Sequence, residues 1–153
     1  MTNGFTCTEL PDQVGRVFRS AAPFQVGQGR IDLFALATDD HQWIHQDSET
    51  TRVDSPFGGP IAHGFLTLSM LGSEVHKAGA TPVDAVSVLN YGLNRVRFLA
   101  PVPAGAALEG AFRLSAVEDR GAGRMLATFD CTLTEAGAEK PALVAEFLVL
   151  VLP

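Results

Sequence analysis

The segment that decides the fold is FGGPIAHGFLTLSMLGSEVHKAG, from Phe57 to Gly79. Residues 61–78 contain no proline and are mostly apolar, which predicts one long helix that ends at Gly79. A helix that is apolar nearly all round its surface is typically buried. We therefore expect a central helix that other elements wrap. The apolar positions are Leu66, Leu68, Met70, Leu71 and Val75.

The chain after this helix has the composition of strands. Four segments are rich in β-branched and aromatic residues with rough alternation: AVSVLNYGLNRVRFLAPV, AALEGAFRLSAVEDR, RMLATFDCTLTE and ALVAEFLVLVLP. EDRGAGR (118–124) and EAGAEK (135–140) have turn composition and predict hairpins. Antiparallel strands that follow one buried helix indicate an α+β fold in which a sheet curls around the helix.

The chain before the helix is divided into shorter elements. Residues 12–26 predict a strand or a strand pair that is broken near Pro23. A short helix is expected to end near Thr38, and a second one follows with Asp47 or Ser48 as its N-cap. The 153 residues fit one domain, and neither a repeat nor a linker divides them. We expect a single domain over 1–153.

Composition excludes several classes of protein. Hydrophobic residues make up 46% and charged residues 18%, an apolar excess that suggests an oligomer interface. The net charge of −6 without a basic run argues against nucleic-acid binding. No segment has the apolar length of a membrane span, and no secretory signal is visible. We expect a cytoplasmic protein with Cys7 and Cys131 as reduced thiols, although a disulfide stays open.

The segment DDHQWIHQD, from Asp39 to Asp47, gathers titrating groups in a lightly charged chain. His41 and His45 are four residues apart, as two metal ligands on one helix face would be. A metalloprotease helix would have glutamate directly after the first histidine, but Gln42 is there, and no third ligand has a fitting spacing. We therefore predict no metal at this segment.

Two interpretations of the acids in this segment remain. They could be turn and cap residues of a solvated loop, and Asp47 in particular could cap the next helix. Trp43 and Ile44 favour a packed segment instead, since a solvated loop seldom contains such side chains. Packing would desolvate a histidine and lower its pKa, while a nearby carboxylate would oppose that shift. Such a pair suits proton transfer near neutral pH.

The sequence IAHG lies at the start of the central helix. His63, alone in an apolar run, is typical of a hydrogen-bonded core histidine, and a substrate contact is the alternative. Gly64 falls in the first helical turn, where backbone N–H groups lack intrahelical partners. A glycine there lets a ligand approach the backbone, or it only allows tight packing of helix against sheet.

Two motifs together resemble the MaoC-like acyl dehydratases, the (R)-specific enoyl-CoA hydratase group. ATDDHQWIHQD and SPFGGPIAHGFLTLSML are similar to the family pattern T-G-D-x-N-P-I-H followed by F-G-x-x-I-A-H-G-x-L. The replacement of x-N-P by H-Q-W looks most like the nodulation protein N-like branch, as does LNYGLNRVRFLAPVPAG. The resemblance covers about residues 10–152. It implies the hot-dog fold and a homodimer with the active site near the subunit interface.

The resemblance also implies roles for single residues. Asp40 lies at the position of the catalytic aspartate and His45 at that of the catalytic histidine. Gly64 matches the glycine whose N–H polarises the thioester carbonyl. The chain departs from the pattern at Asp39, where the family usually has glycine, and at Gln42, where it usually has asparagine. A buried Asp39 would oppose ionisation of Asp40, whereas an outward Asp39 would do nothing.

The implied activity is reversible hydration of trans-2-enoyl thioesters to (R)-3-hydroxyacyl thioesters. Asp40 and His45 would hold one water, with His45 as the base, and the Gly64 N–H would stabilise the enolate oxygen. No cofactor is implied, since CoA or an acyl carrier protein belongs to the substrate. A hot-dog thioesterase and a non-catalytic acyl-thioester binding module stay open as alternatives. The Asp-x4-His spacing and the AHG helix start favour hydration.

Further residues near the motifs are candidates for substrate binding. Arginine suits the phosphates of CoA, although any one of these arginines could equally lie on an ordinary surface. Polar residues among the apolar ones of the first long strand could line the site or satisfy buried backbone groups. The candidates are Gln42, His63, Asn90, Arg95 and Arg97, with Arg52, Tyr91 and Asn94 as further possibilities.

Overall fold

The computed structural model describes residues 4–153, in which six strands form one antiparallel sheet. The strands are β1 (Val17–Arg19), β2 (Phe24–Val26), β3 (Ser87–Phe98), β4 (Ala106–Asp119), β5 (Met125–Glu135) and β6 (Leu143–Leu152). The helices are α1 (Gln28–Thr38), α2 (Glu49–Asp54), α3 (Gly64–Ser69) and α4 (Leu71–Lys77). Short 3-10 helices cover Cys7–Gln13 and Trp43–His45. The predicted order of elements is confirmed.

The strand order along the sheet is β1, β4, β5, β6, β3, and β2 also pairs with β4. Both predicted hairpins are present, one between β4 and β5 and one between β5 and β6. The two strands around Pro23 do not pair with each other; Phe18 lies opposite Phe112 and Val26 opposite Ala106, both in β4. Within the described residues, β3 pairs with β6 alone and is therefore an edge of the sheet.

The core lies between one face of this sheet and the helices. β6 has strict alternation of buried and half-buried residues over its whole length, because successive side chains of a strand point to opposite faces. Its buried positions, such as Phe147, belong to the same cluster as Leu66, Leu71 and Val75 of the helices. A sheet that packs on helices in this way positions the start of α3 beside the end of β3.

The central helix differs from the prediction in three respects. It begins at Gly64 rather than Ile61, and it is interrupted at Met70, so that α3 and α4 are separate. Hydroxyl groups of Thr67, Ser69 and Ser73 donate to carbonyls three residues upstream, and such hydrogen bonds bend helices. The helix is also not buried all round, since Phe65 is 68% exposed.

Ser48, rather than Asp47, caps α2. The Ser48 Oγ accepts a hydrogen bond from the Thr51 N–H at 3.1 Å. Asp47 is one residue too early in the chain for this bond and instead forms an ion pair with Arg52 at 2.8 Å. The assignment of Asp47 as the cap is therefore wrong, and the alternative cap at Ser48 is confirmed.

Two expectations from composition can be compared with the described residues. Among them, none of the helices combines the length and hydropathy of a membrane-spanning helix. Cys7 and Cys131 are both free and buried, as expected for reduced thiols. Burial raises the pKa of the Cys131 thiol to about 12, which keeps it protonated and unreactive.

Candidate active site

The loop after α1 carries the residues of the first motif. α1 ends at Thr38 and is followed by Asp39, which has the left-handed backbone conformation with φ 58° and ψ 19°. Glycine adopts this conformation without steric cost, and aspartate is among the few other residues that tolerate it. The family's usual glycine at this position therefore fits a backbone requirement of the turn. The side chains of Asp39 and Asp40 are both exposed, so the buried pair of carboxylates is not found.

His45 is the buried member of this segment, at 7% exposure, and it ends the short 3-10 turn Trp43–His45. Its Nδ1 lies 2.8 Å from the carbonyl oxygen of Ile61. Because a carbonyl only accepts, Nδ1 carries the hydrogen and donates it, and Nε2 keeps a free lone pair. Desolvation lowers the pKa of His45, while the hydrogen bond to Ile61 and the charge of Asp40 oppose this shift. The histidine is thus held as a neutral base.

Asp40, His45 and His63 come together at this point. A carboxylate oxygen of Asp40 and one ring nitrogen of each histidine all lie within 4.8 Å of one another. A single water that makes hydrogen bonds of about 2.8 Å can bridge two atoms at such a separation. The geometry therefore brings together the two residues of the predicted pair, and it adds His63.

The same three residues do not fit a shared metal ion. The rings of His45 and His63 are stacked, with centroids 3.8 Å apart and 27° between their planes. A nitrogen lone pair lies in its ring plane, and Zn–N bonds are only about 2.1 Å long. One ion cannot lie in both planes at that distance while the rings are stacked. His41, the other histidine of the motif, is exposed and outside this group.

Gly64 is the first residue of α3, with His63 as the residue that precedes it. Within residues 4–153, the N–H of Gly64 has no hydrogen-bond acceptor, as expected for the first turn of a helix. A Cβ at this position would lie 3.0 Å from Cδ1 of the Phe98 ring. Glycine therefore allows close packing of the helix against the sheet, and its position at the helix start leaves the N–H donor free.

A pocket of about 410 Å³ adjoins these groups. Ile44 lines it and is half-buried, but Trp43 is 43% exposed, so only part of the expected packing around the motif is present. Asp40 is not among its lining residues. The sequence did not predict that the apolar residues Phe98 and Leu99 line this pocket. The only indication was their place at the end of a predicted strand. The lining includes Gln42, His45, Gly64, Phe98 and Leu99.

The other residues predicted to bind substrate lie elsewhere. Asn90 lines a separate cavity of about 750 Å³ between α4 and β3. Arg95 pairs with Glu146, and Arg97 donates to the carbonyl of Val96 at 2.7 Å. Arg52 is held by Asp47. None of these four lines the pocket beside His45 in the described chain, and their role toward a substrate stays a prediction.

His63 also differs from its predicted role. It is 2% exposed and does not line the pocket, so the described conformation offers it no direct contact with a substrate there. Its Nε2 lies 2.9 Å from the backbone oxygen of Asp40, while its Nδ1 has no partner within the described residues. The core interpretation of this histidine fits the structure better than the substrate contact.

Comparisons with known proteins identify the family. A family model described as MaoC like domain matches residues 9–135. The chain is 42% identical to Nodulation protein N of Rhizobium leguminosarum bv. viciae, over 94% of this chain and 89% of that protein. It is 46% identical to 3-hydroxyacyl-thioester dehydratase Z of Mycobacterium tuberculosis, over 81% of each chain.

Solved structures show the same fold. The (R)-hydratase from A. caviae involved in PHA biosynthesis superposes with a TM-score of 0.71, at 23% identity, over 92% of this chain and 96% of that one. A MaoC-like dehydratase from Rhodospirillum rubrum gives a TM-score of 0.70 at 22% identity, over 91% and 92% of the two chains. At these identities the likeness concerns the fold.

Proposed function

Because this chain belongs to the MaoC-like dehydratase family and has its hot-dog fold, we propose that it is a hydro-lyase acting on acyl thioesters. It adds water reversibly to trans-2-enoyl esters of CoA or acyl carrier protein and forms (R)-3-hydroxyacyl esters. The observation that carries this proposal is a buried His45 whose Nδ1 is held by the Ile61 carbonyl and which has a ring nitrogen within 4.8 Å of an Asp40 carboxylate oxygen. The name of a relative at 46% identity, a 3-hydroxyacyl-thioester dehydratase, supports it.

The proposed mechanism uses one water between the two side chains. His45 Nε2 takes a proton from this water while the water oxygen bonds to the β-carbon of the enoyl group. The Asp40 carboxylate orients the water and relays to the α-carbon the proton that His45 has taken, so that the OH and the H of one water are both added. The depressed pKa of His45 keeps it in the base form at neutral pH. In the dehydration direction each proton moves the opposite way, and the elements of water leave.

The thioester oxygen becomes negative during this reaction, and in the proposed mechanism the Gly64 N–H stabilises it. Within the described residues its N–H has no acceptor, and Gly64 lines the same pocket as His45. A preformed donor aimed at a developing oxyanion lowers the barrier without reorganisation. α3 ends after six residues, so the donor itself, more than a long helix dipole, supports this role.

The experiment that tests the function is hydration of crotonyl-CoA, followed by the loss of enoyl absorbance. Asp40→Asn and His45→Gln should each lower the rate on the order of 10²–10⁴-fold, since each removes an acid/base group. Asp39→Asn is the matched control, because it removes the adjacent exposed carboxylate and should leave the rate within about twofold. Hydration leaves the thioester intact, so release of free thiol in step with the loss of enoyl absorbance would identify a thioesterase and refute the proposal.

We also propose that the chain forms a homodimer through β3. An edge strand of this length exposes unpaired backbone groups, which proteins commonly cover. Leu89, Tyr91 and Leu93 are each more than 40% exposed on β3, and this apolar surface favours a second copy as its cover. Light scattering should give twice the mass of the 153-residue chain, and a monomer at micromolar concentration would refute the proposal.

A further inference from the structure

His63 is a buried ring to which the proposed chemistry assigns no step. Its Nε2 is 2.9 Å from the Asp40 backbone oxygen, and a carbonyl can only accept, so Nε2 carries a hydrogen and donates it. Nδ1 is buried and has no partner within residues 4–153. A hydrogen on Nδ1 would be a buried donor without an acceptor, which is costly. The surroundings therefore select one tautomer, with the hydrogen on Nε2 only.

Apart from the hydrogen bond from His63, the loop that carries Asp40, residues 39–42, has few hydrogen bonds to the rest of the chain. Among the described residues, the remaining hydrogen bonds to its carbonyls are local: His41 O accepts from Gln46 Nε2, and Gln42 O accepts from the His45 N–H. The bond from His63 spans 23 positions of sequence. It is the hydrogen bond by which this loop is tied to the start of α3.

The His63 ring also contacts the other proposed reacting group. It is stacked on His45 with centroids 3.8 Å apart, and Phe34 contacts it at 5.0 Å with the rings tilted by 52°. Two buried rings in this contact restrict each other's orientation. One side chain thus touches the backbone of Asp40 and the ring of His45 at the same time.

We propose that His63 is a positioning residue, whose Nε2–H and ring face together fix the Asp40 peptide and the His45 imidazole in the arrangement that the water requires. This inference deepens the proposed hydro-lyase function and rests on it for its kinetic consequences. His63 is 2% exposed and does not line the pocket, so we assign it no contact with the substrate. Small displacements of reacting groups are enough to matter, because a shift of about 1 Å can cost on the order of 10²-fold in rate.

Two variants separate the functions of this side chain. His63→Phe keeps an aromatic ring against His45 but removes the hydrogen bond to Asp40. His63→Gln keeps an N–H donor but removes the ring. In the full-length chain with crotonyl-CoA, we expect His63→Phe to lower kcat about 10- to 100-fold with KM changed less than about threefold. We expect His63→Gln to retain more activity than His63→Phe, because the donor to the loop is restored.

A double variant distinguishes positioning from general damage to the fold. In the Asp40→Asn background, His63→Phe should cost less than about threefold, because groups that act as a unit are not additive. The inference would be overturned if His63→Phe lowered the rate equally with Asp40 and with Asn at position 40. It would also be overturned if His63→Phe alone kept the full rate while Asp40→Asn abolished it. In both cases the proposed function would stand. Absence of enoyl hydration in the unaltered protein would instead refute the proposed function.

Two measurements test the positioning without any activity. Hydrogen exchange of the segment 39–46 should be faster in His63→Phe than in the unaltered protein and intermediate or normal in His63→Gln. Nitrogen NMR of the unaltered protein should show His63 with the hydrogen on Nε2 and a bare Nδ1. Unchanged exchange in a folded His63→Phe variant, or the opposite tautomer, would overturn the inference. The NMR result decides the question where neither variant folds.

Discussion

A methyl group at position 64 would meet the ring of Phe98. The Cβ of Gly64→Ala would lie 3.0 Å from Cδ1 and 3.1 Å from Cε1 of that ring. Carbon atoms in ordinary contact are about 3.5–4.0 Å apart, so the ring must move by several tenths of an ångström. Overpacking usually costs about 1–3 kcal/mol, and we expect the lower part of this range because Phe98 is 45% exposed and can shift.

The helix itself opposes this loss. Alanine is up to about 1 kcal/mol better than glycine within a helix, and less so in its first turn. We therefore expect Gly64→Ala to lower the free energy of unfolding by about 1 kcal/mol, measured by urea denaturation. Since Phe98 lines the pocket beside His45, its displacement should also lower kcat/KM for crotonyl-CoA by about 10-fold or more.

The matched control is the same substitution in a Phe98→Leu background. Leucine is smaller and more flexible than phenylalanine, so the clash should disappear there and the alanine should become neutral or stabilising. The change in the free energy of unfolding caused by Gly64→Ala should then differ by about 1 kcal/mol or more between the unaltered and the Phe98→Leu backgrounds. Equal effects within about 0.5 kcal/mol in the two backgrounds would show that Gly64 and Phe98 are independent, and they would refute the packing argument.

Three more measurements concern the segment that precedes α3. Asp39→Gly should raise the free energy of unfolding by about 0.5–1 kcal/mol, because glycine adopts φ 58° without a Cβ penalty; a decrease in urea denaturation would contradict this. Ser48→Ala should lower it by about 1 kcal/mol through loss of the α2 cap, and an unchanged urea midpoint would count against that role. The acid limb of kcat/KM should lie below pH 6.5, since burial lowers the pKa of His45 from that value; a limb above pH 6.5 would contradict it. Because the folded protein favours neutral His45, this histidine contributes stability that is fully present above pH 6.5 and is lost as pH falls through its lowered pKa.

Much of the fold could be read from local patterns. Alternation along β6 and turn residues between β4 and β5 depend on neighbours in the chain, so the strands and hairpins were predicted correctly. The hot-dog architecture, which came from the family resemblance, is confirmed by the solved relatives. The prediction of an unbroken helix through Met70 is wrong, because hydroxyl groups that look neutral in an apolar run bond to the helix backbone.

The backbone at Asp39 explains one departure from the family pattern. Asp39 replaces the family's usual glycine, and its φ of 58° indicates that the position serves the backbone of a turn. Its side chain is outside the group formed by Asp40, His45 and His63, which points to a minor role in the chemistry. A glycine in the family pattern directly after a predicted helix is typical of a left-handed residue at the helix end, so the sequence pattern itself carries this signal.

The sequence by itself determined the elements, the identity of the family, and the prediction of Asp40, His45 and Gly64 as one site. Periods of 2 and 3.6 residues and short motifs are written along the chain, so each can be recognised from neighbouring residues alone. Only the tertiary structure decided that His63 bonds the Asp40 backbone and stacks on His45, and that Arg95 and Asn90 lie away from the pocket. Such contacts join residues many positions apart, and their distances are set by the packing of α3 against the sheet rather than by any local pattern.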